Sequence, residues 1–226
     1  MKKVEEGGHS APMRRSASDI IKKDIGSKNS VKRIVAIAIS TGGPKTMQSM
    51  LPLLPENLDA PVVIVQHMPK GFTQAMAARM NDISKVKVTE AKEGDILQKG
   101  CVYFSQGGAH LKLVSTVVGT MVKYSDEPNR EGVKPCANYM YESLADCDYD
   151  EVVCVVMTGM GQDGTEGIGN LKKKKKTFCI SQERTSCVVY GMPKAVFNAG
   201  YSDVEGDIEE IARQIINRVG VTKNGC

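Results

Sequence analysis

Ile34-Val35-Ala36-Ile37-Ala38-Ile39-Ser40-Thr41-Gly42-Gly43-Pro44 is the stretch from which the fold is read. Six apolar residues in a row, rich in β-branched side chains, suit a strand buried on both faces, as in a parallel α/β sheet. The run stops at a hydroxyl, two glycines and a proline, so the strand ends in a sharp turn. Pro44 fits the first turn of a helix, where its missing N–H costs nothing, and residues 45–54 can continue that helix. Ser40 then stands at the carboxyl end of a parallel strand, where open α/β sheets place their ligands. A serine at such a corner can serve as a nucleophile or simply cap the following helix. The first glycine of the Gly-x-Ser-x-Gly elbow is replaced here by Ala38, so the local motif alone does not choose between the two.

The pattern repeats downstream. Pro61-Val62-Val63-Ile64-Val65-Gln66-His67-Met68-Pro69 is a second apolar run ending in polar side chains and a proline. Two such strands joined by a helix form a right-handed βαβ unit, which puts Ser40 and His67 on one sheet edge. Residues 71–82, with Phe72, Met76 and Met80 four apart, read as an amphipathic helix. Residues 86–124, broken by Gly94, Gly100, Gly107-Gly108 and Gly119, read as antiparallel hairpins that wall a cleft. A helix is expected over residues 135–147, a third buried strand over 151–158 and a fourth over 177–181. Helices over 193–199 and 207–218 close the domain, and residues 219–226 are expected to fray. The fold class is therefore α/β, with a mostly parallel central sheet flanked by helices and an antiparallel hairpin excursion.

Residues 1–30 contain Gly, Ser, Lys and Glu, few large apolar side chains and no periodicity, the composition of a flexible tail or linker ahead of a domain over 31–220. The chain has 226 residues, of which 41% are hydrophobic and 25% charged, with a net charge of +4. With aromatics at 5% and no Trp, neither charge nor stacking residues favour nucleic acid as a partner. Seven cysteines without a Cys-x-x-Cys pair argue against a disulfide framework or a structural zinc site and fit a reducing cytoplasm. No apolar run is long enough to span a membrane. The lysine run over 172–176 reads as a solvated turn, or as an attractor for an acidic surface if it lies near the site.

Two glycine-rich corners imitate nucleotide motifs. Gly159-x-Gly161-x-x-Gly164 matches the dinucleotide fingerprint, with Glu183 downstream for a ribose. However, Asp163 lies inside the loop that would cradle a pyrophosphate, where its carboxylate repels the ligand. Gly42-Gly43-Pro44-Lys45-Thr46 resembles the end of a phosphate loop, but Pro44 has no N–H to offer. A hydrolase uses the same residues with less strain. His67, at the end of the next strand, can take the Ser40 proton. Asp163, after the third parallel strand, reaches the same edge and can hold the imidazole in one tautomer, although an Asp there can also cap a helix. The Thr41 N–H and a backbone N–H near Met160 can form an oxyanion hole. His110, on the hairpin wall, is assigned packing or substrate lining.

Ser40-Thr41-Gly42-Gly43-Pro44, Gln66-His67-Met68-Pro69-x-Gly71-Phe72-Thr73, Thr158-Gly159-Met160-Gly161-x-Asp163-Gly164 and Val188-Val189-Tyr190-Gly191-Met192-Pro193 together resemble the motif set of the chemotaxis receptor methylesterase family (CheB). The resemblance runs in order from about residue 32 to about residue 218. It implies a protein-glutamate methylesterase that hydrolyses γ-glutamyl methyl esters on methyl-accepting chemotaxis receptors, releases methanol, also deamidates receptor glutamines, and uses neither metal nor organic cofactor. It places nucleophile, base and orienting acid on Ser40, His67 and Asp163, and the oxyanion-hole amides on Thr41 and Met160. Three local departures stand out. Ala38-Ile39 replaces Gly-Ala, Lys134-Pro135-Cys136-Ala137-Asn138 replaces Arg-Pro-Ser-Val-Asp, and the lysine run replaces a Gly-rich apolar stretch. The family's phosphorylatable receiver domain is not recognisable in the first 30 residues, which are expected to be its linker at most.

Overall fold

The computed structural model describes residues 31–222, which fall in one compact unit. The expected tail over 1–30 and the last four residues lie outside the described residues.

Strands β1 (Arg33–Ile39), β2 (Val62–Gln66), β3 (Lys87–Glu90), β4 (Cys101–Phe104), β7 (Glu151–Val156), β8 (Thr177–Gln182) and β9 (Val204–Gly206) form one sheet in the order β3-β4-β2-β1-β7-β8-β9. Every pairing in it is parallel. β5 (His110–Thr116) and β6 (Gly119–Ser125) form a separate antiparallel hairpin. Helices α1 (Gly43–Met50), α2 (Thr73–Ile83), α3 (Ala137–Ser143), α4 (Thr165–Lys172), α5 (Met192–Asn198) and α6 (Ile208–Val219) complete the domain.

Ile34 to Ile39 are all fully buried, because the two faces of the sheet are covered separately. Val35, Ile37 and Ile39 pack with Met47, Met50, Met76, Ile211 and Ile215 in one core. Ile34, Ala36 and Ala38 pack with Met140, Tyr141, Ile168, Leu171 and Val196 in the other, which also takes Leu111, Leu113 and Val122 from the hairpin. Ile39, a departure from the family pattern, is thus absorbed by the first core. Both cores meet along β1, the middle of the sheet. From β1 the chain builds outward through β2, then returns to place β7 on the other side. The crevice at the carboxyl ends of β1 and β7 is therefore a topological switch point.

Three expectations need correction. β3 and β4 are parallel members of the main sheet, so only β5 and β6 form a hairpin within residues 86–124. The glycines that suggested hairpins mark the β3-to-β4 connection instead, with Gly94 and Gly100 at φ of 88° and 70°. That connection lies along β6, with an antiparallel bridge between Ile96 and Met121. Phe72 does not share the buried face of Met76 and Met80; it precedes α2 and is 61% exposed. The segment after α6 does not fray before Thr222: Val221 bridges Leu58, and Asp59 N–H donates to Gly220 O at 3.0 Å. The lysine run is largely engaged within the domain. Lys172 pairs with Asp203, Lys176 with Glu151, and Lys175 Nζ donates to the Cys147 and Tyr149 carbonyls.

Candidate active site

Strand register brings the site together. β1 and β2 align Ile39 with Gln66, and β1 and β7 align Ala38 with Val156. The ladder runs on beyond the strands, since His67 N–H donates to Ile39 O at 3.1 Å and Ser40 N–H donates to Thr158 O at 2.9 Å. Ser40 is therefore held between the ends of its two neighbouring strands. Its hydroxyl is not spent on α1, whose N-cap is Gly42 and which has no side-chain cap. Ser40 Oγ lies 3.1 Å from His67 Nδ1, and His67 Nε2 lies 2.7 Å from Asp163 Oδ2. One imidazole thus bridges a hydroxyl and a carboxylate. With the proton on Nε2 donated to Asp163, Nδ1 is the free acceptor facing Ser40.

Close approach at this corner depends on small residues. A Cβ on Gly43 would lie 1.9 Å from Gln66 Oε1, and one on Gly159 would lie 2.8 Å from Ser40 Cβ. Gln66 is 2% exposed and donates through Nε2 to both the Ser40 and the His67 carbonyls, at 3.0 and 3.2 Å. One side chain thereby fixes the spacing of the two residues that share a proton. At the next strand end, Thr158 Oγ1 donates to Thr41 O while accepting from Val189 N–H, and Thr158 N–H donates to Gln182 Oε1. The Gly159 carbonyl accepts from Gly191 and Met192. These bonds fix the Thr41 and Met160 peptides, whose own N–H groups have no hydrogen-bond partner among the described residues.

Asp163 is 2% exposed and accepts four hydrogen bonds. Oδ2 takes His67 Nε2–H and, at 2.6 Å, Ala137 N–H; Oδ1 takes the Cys136 thiol and Asn138 N–H, both at 3.0 Å. Burial pushes the carboxyl up, but the imidazole, the thiol and the Ala137 amide outweigh it and hold it below the usual carboxylate range. Asp163 does not cap its own following helix, α4, whose N-cap is Gly164. It satisfies the first amides of α3 instead, while Asn138 Oδ1 from α3 accepts from Gly164 and Gly167 at 3.0 and 2.7 Å. The two helices cap each other. With Asn138 filling the start of α4 and Asp163 turned toward His67, the corner over 159–164 is not built to cradle a pyrophosphate.

His110 is fully buried and structural: Nδ1 accepts from Cys136 N–H and Nε2 donates to Pro128 O. A groove of about 760 Å³, lined in part by Gly161, Gln162, Gly191 and Lys194, borders the Met160 loop. The cavity of about 430 Å³ between the hairpin and α3 shares no residue with the Ser40, His67 and Asp163 set. Sequence reasoning missed the roles of Gln66, Cys136 and Asn138. Gln66 alone had a local signal, a polar residue closing an apolar strand.

A hydroxyl, an imidazole and a carboxylate in hydrogen-bond series at the carboxyl edge of a parallel α/β sheet is the arrangement of serine hydrolases. The comparisons make the family specific. The CheB methylesterase family model matches residues 35–215. A Bacillus subtilis (strain 168) protein named protein-glutamate methylesterase/protein-glutamine glutaminase is 41% identical over 188 residues, 83% of this chain and 53% of that protein. A Bacillus licheniformis protein of the same name is 39% identical over 220 residues, 95% of this chain and 62% of its own length. The crystal structure of the Thermotoga maritima CheB methylesterase catalytic domain superposes with a TM-score of 0.80 at 35% identity, covering 83% of this chain and 99% of that one. This chain belongs to the CheB methylesterase family, and it spans about half the length of the Bacillus subtilis relative.

Proposed function

We propose that the chain is a protein-glutamate methylesterase that hydrolyses γ-glutamyl methyl esters on methyl-accepting chemotaxis receptors, and that it also deamidates receptor glutamines. The observation that carries this reading is the His67 ring, bridging Ser40 Oγ and Asp163 Oδ2. Ser40 Oγ attacks the ester carbonyl as His67 Nδ1 takes its proton, and Asp163 stabilises the imidazolium. The Thr41 and Met160 amides face the tetrahedral oxyanion. Collapse breaks the C–O bond, and His67 returns the proton to the departing methoxide, giving methanol and a Ser40 acyl-enzyme. Water then attacks, gives its proton to His67, and releases the glutamate side chain as Ser40 regains its hydrogen. With a glutamine the leaving group is ammonia. No metal or organic cofactor enters these steps.

No helix among the described residues is long and apolar enough to cross a membrane. The reading places the chain in the cytoplasm, where its substrate is the cytoplasmic signalling domain of a receptor. The test is mass spectrometry of a methylated receptor signalling domain after incubation with the chain. Loss of one methylene mass at glutamyl esters, with conversion of amide to acid at selected glutamines, is expected. An unchanged receptor domain that nevertheless binds the chain would replace this reading with that of a non-catalytic receptor-binding module.

A further inference from the structure

Asp163 can orient His67 only if its own carboxylate is held in one rotation, and that torsion, sp³ to sp², is intrinsically broad. The four donors around it divide evenly. On Oδ2, the Ala137 amide sits beside the imidazole; on Oδ1, the Asn138 amide sits beside the Cys136 thiol. Both amides come from the first turn of α3. The thiol is the only side-chain donor on the oxygen away from His67. Cys136 is fully buried, and it is the N-cap residue of α3 without capping it. Its place is fixed from behind by its own N–H, which donates to His110 Nδ1 at 3.1 Å.

We propose that Cys136 is a positioning residue of this site, whose thiol donates to Asp163 Oδ1 and locks the carboxylate so that Oδ2 stays aimed at His67. This deepens the esterase reading and rests on it. Burial and the neighbouring carboxylate push the thiol up to about 12, so it remains a protonated donor throughout the physiological range. The role is that of a hydrogen-bond donor, not of a nucleophile: the sulfur is shielded from solvent, and its proton is committed to Asp163.

The experiment compares Cys136→Val, Cys136→Ala and Cys136→Ser by methanol release and by the rate at which a fluorophosphonate labels Ser40, with thermal melts alongside. Cys136→Val keeps much of the volume and loses the donor. It is expected to lower kcat and the labelling rate roughly 5- to 10-fold with KM unchanged. Cys136→Ser keeps a donor and is expected to recover both rates to within about twofold of wild type. If the valine variant does not fold, the Ala and Ser pair makes the same comparison. Cys136→Val at wild-type rates, or Cys136→Ser as slow as Cys136→Ala, would overturn the proposal. Labelling separates this from the esterase reading: a chain that releases no methanol but whose Ser40 labelling follows the same order retains the Cys136 role and loses the proposed substrate.

Discussion

Asp163→Asn is expected to lower methanol release by about 10³- to 10⁴-fold with little change in KM. All four hydrogen bonds to this carboxylate come from donors, so an amide nitrogen at either oxygen position confronts two of them. If the amide NH₂ faces His67, it donates to Nε2 and drives the ring proton to Nδ1, the atom that must accept from Ser40. The nucleophile then has no base. If it faces the other way, it opposes the Cys136 thiol and the Asn138 amide, and α3 loses part of its cap. That second cost is structural, about 1–2 kcal/mol, and shows as a lower melting temperature. The two effects separate in one experiment: kcat reports the tautomer and the melt reports the cap. A fall in kcat of less than tenfold at an unchanged melting temperature would show that Asp163 neither holds the imidazole nor caps α3.

Glu151→Gln is expected to destabilise the folded chain by roughly 2–3 kcal/mol at neutral pH, lowering the melting temperature by about 5–10 °C. Glu151 opens β7 at the edge opposite the site, and its side chain is fully buried. Arg33 reaches it at 2.8 Å and Arg218 Nε at 3.0 Å, with a second Arg218 contact and Lys176 alongside. Arg218 is itself held over the Phe178 ring at 4.4 Å. Burial pushes the Glu151 carboxyl up, but the hydrogen bonds from Arg218 and Arg33 outweigh it and bring it down to about 2. The unfolded chain titrates near the ordinary glutamate value of about 4.3. The charge therefore stabilises the fold fully above that value, and the contribution is lost as pH falls toward 2. Melts at pH 7 and pH 3 check this, since the gap between wild type and variant should narrow at the lower pH. A gap independent of pH would mean that charge is not the source.

Much of this was legible in the sequence because buried parallel strands are continuous apolar runs that stop abruptly. β1, β2 and β7 could be found from such runs, and once they were parallel neighbours, the residues after them had to share an edge. Ser40, His67 and Asp163 followed from that placement alone, before any family resemblance entered. β3 and β4 were harder. They are four residues each, and the glycines between them look the same in a hairpin as in the open connection that lies along β6. Phe72 had the right spacing for the buried face of α2, but the helix starts one residue later.

The supporting groups were illegible for a different reason. Cys136 and Asn138 act on residues 27 and 26 positions away, across the joint between α3 and α4. Nothing in the local sequence announces such a pairing. At the departures Cys136, Ala137 and Asn138, the Cys136 thiol and the backbone N–H groups of Ala137 and Asn138 all donate to Asp163. Ile39, the departure beside Ser40, is buried in one core with Met47 and Met50 of α1.

The most direct measurement is methanol release from a methylated receptor signalling domain by the wild-type chain and by Ser40→Ala, run side by side with thermal melts. The wild type is expected to release methanol and the variant to fall to background at an unchanged melting temperature, since the Ser40 hydroxyl caps no helix. Equal turnover by both proteins would remove Ser40 from the chemistry and contradict the esterase mechanism built on it.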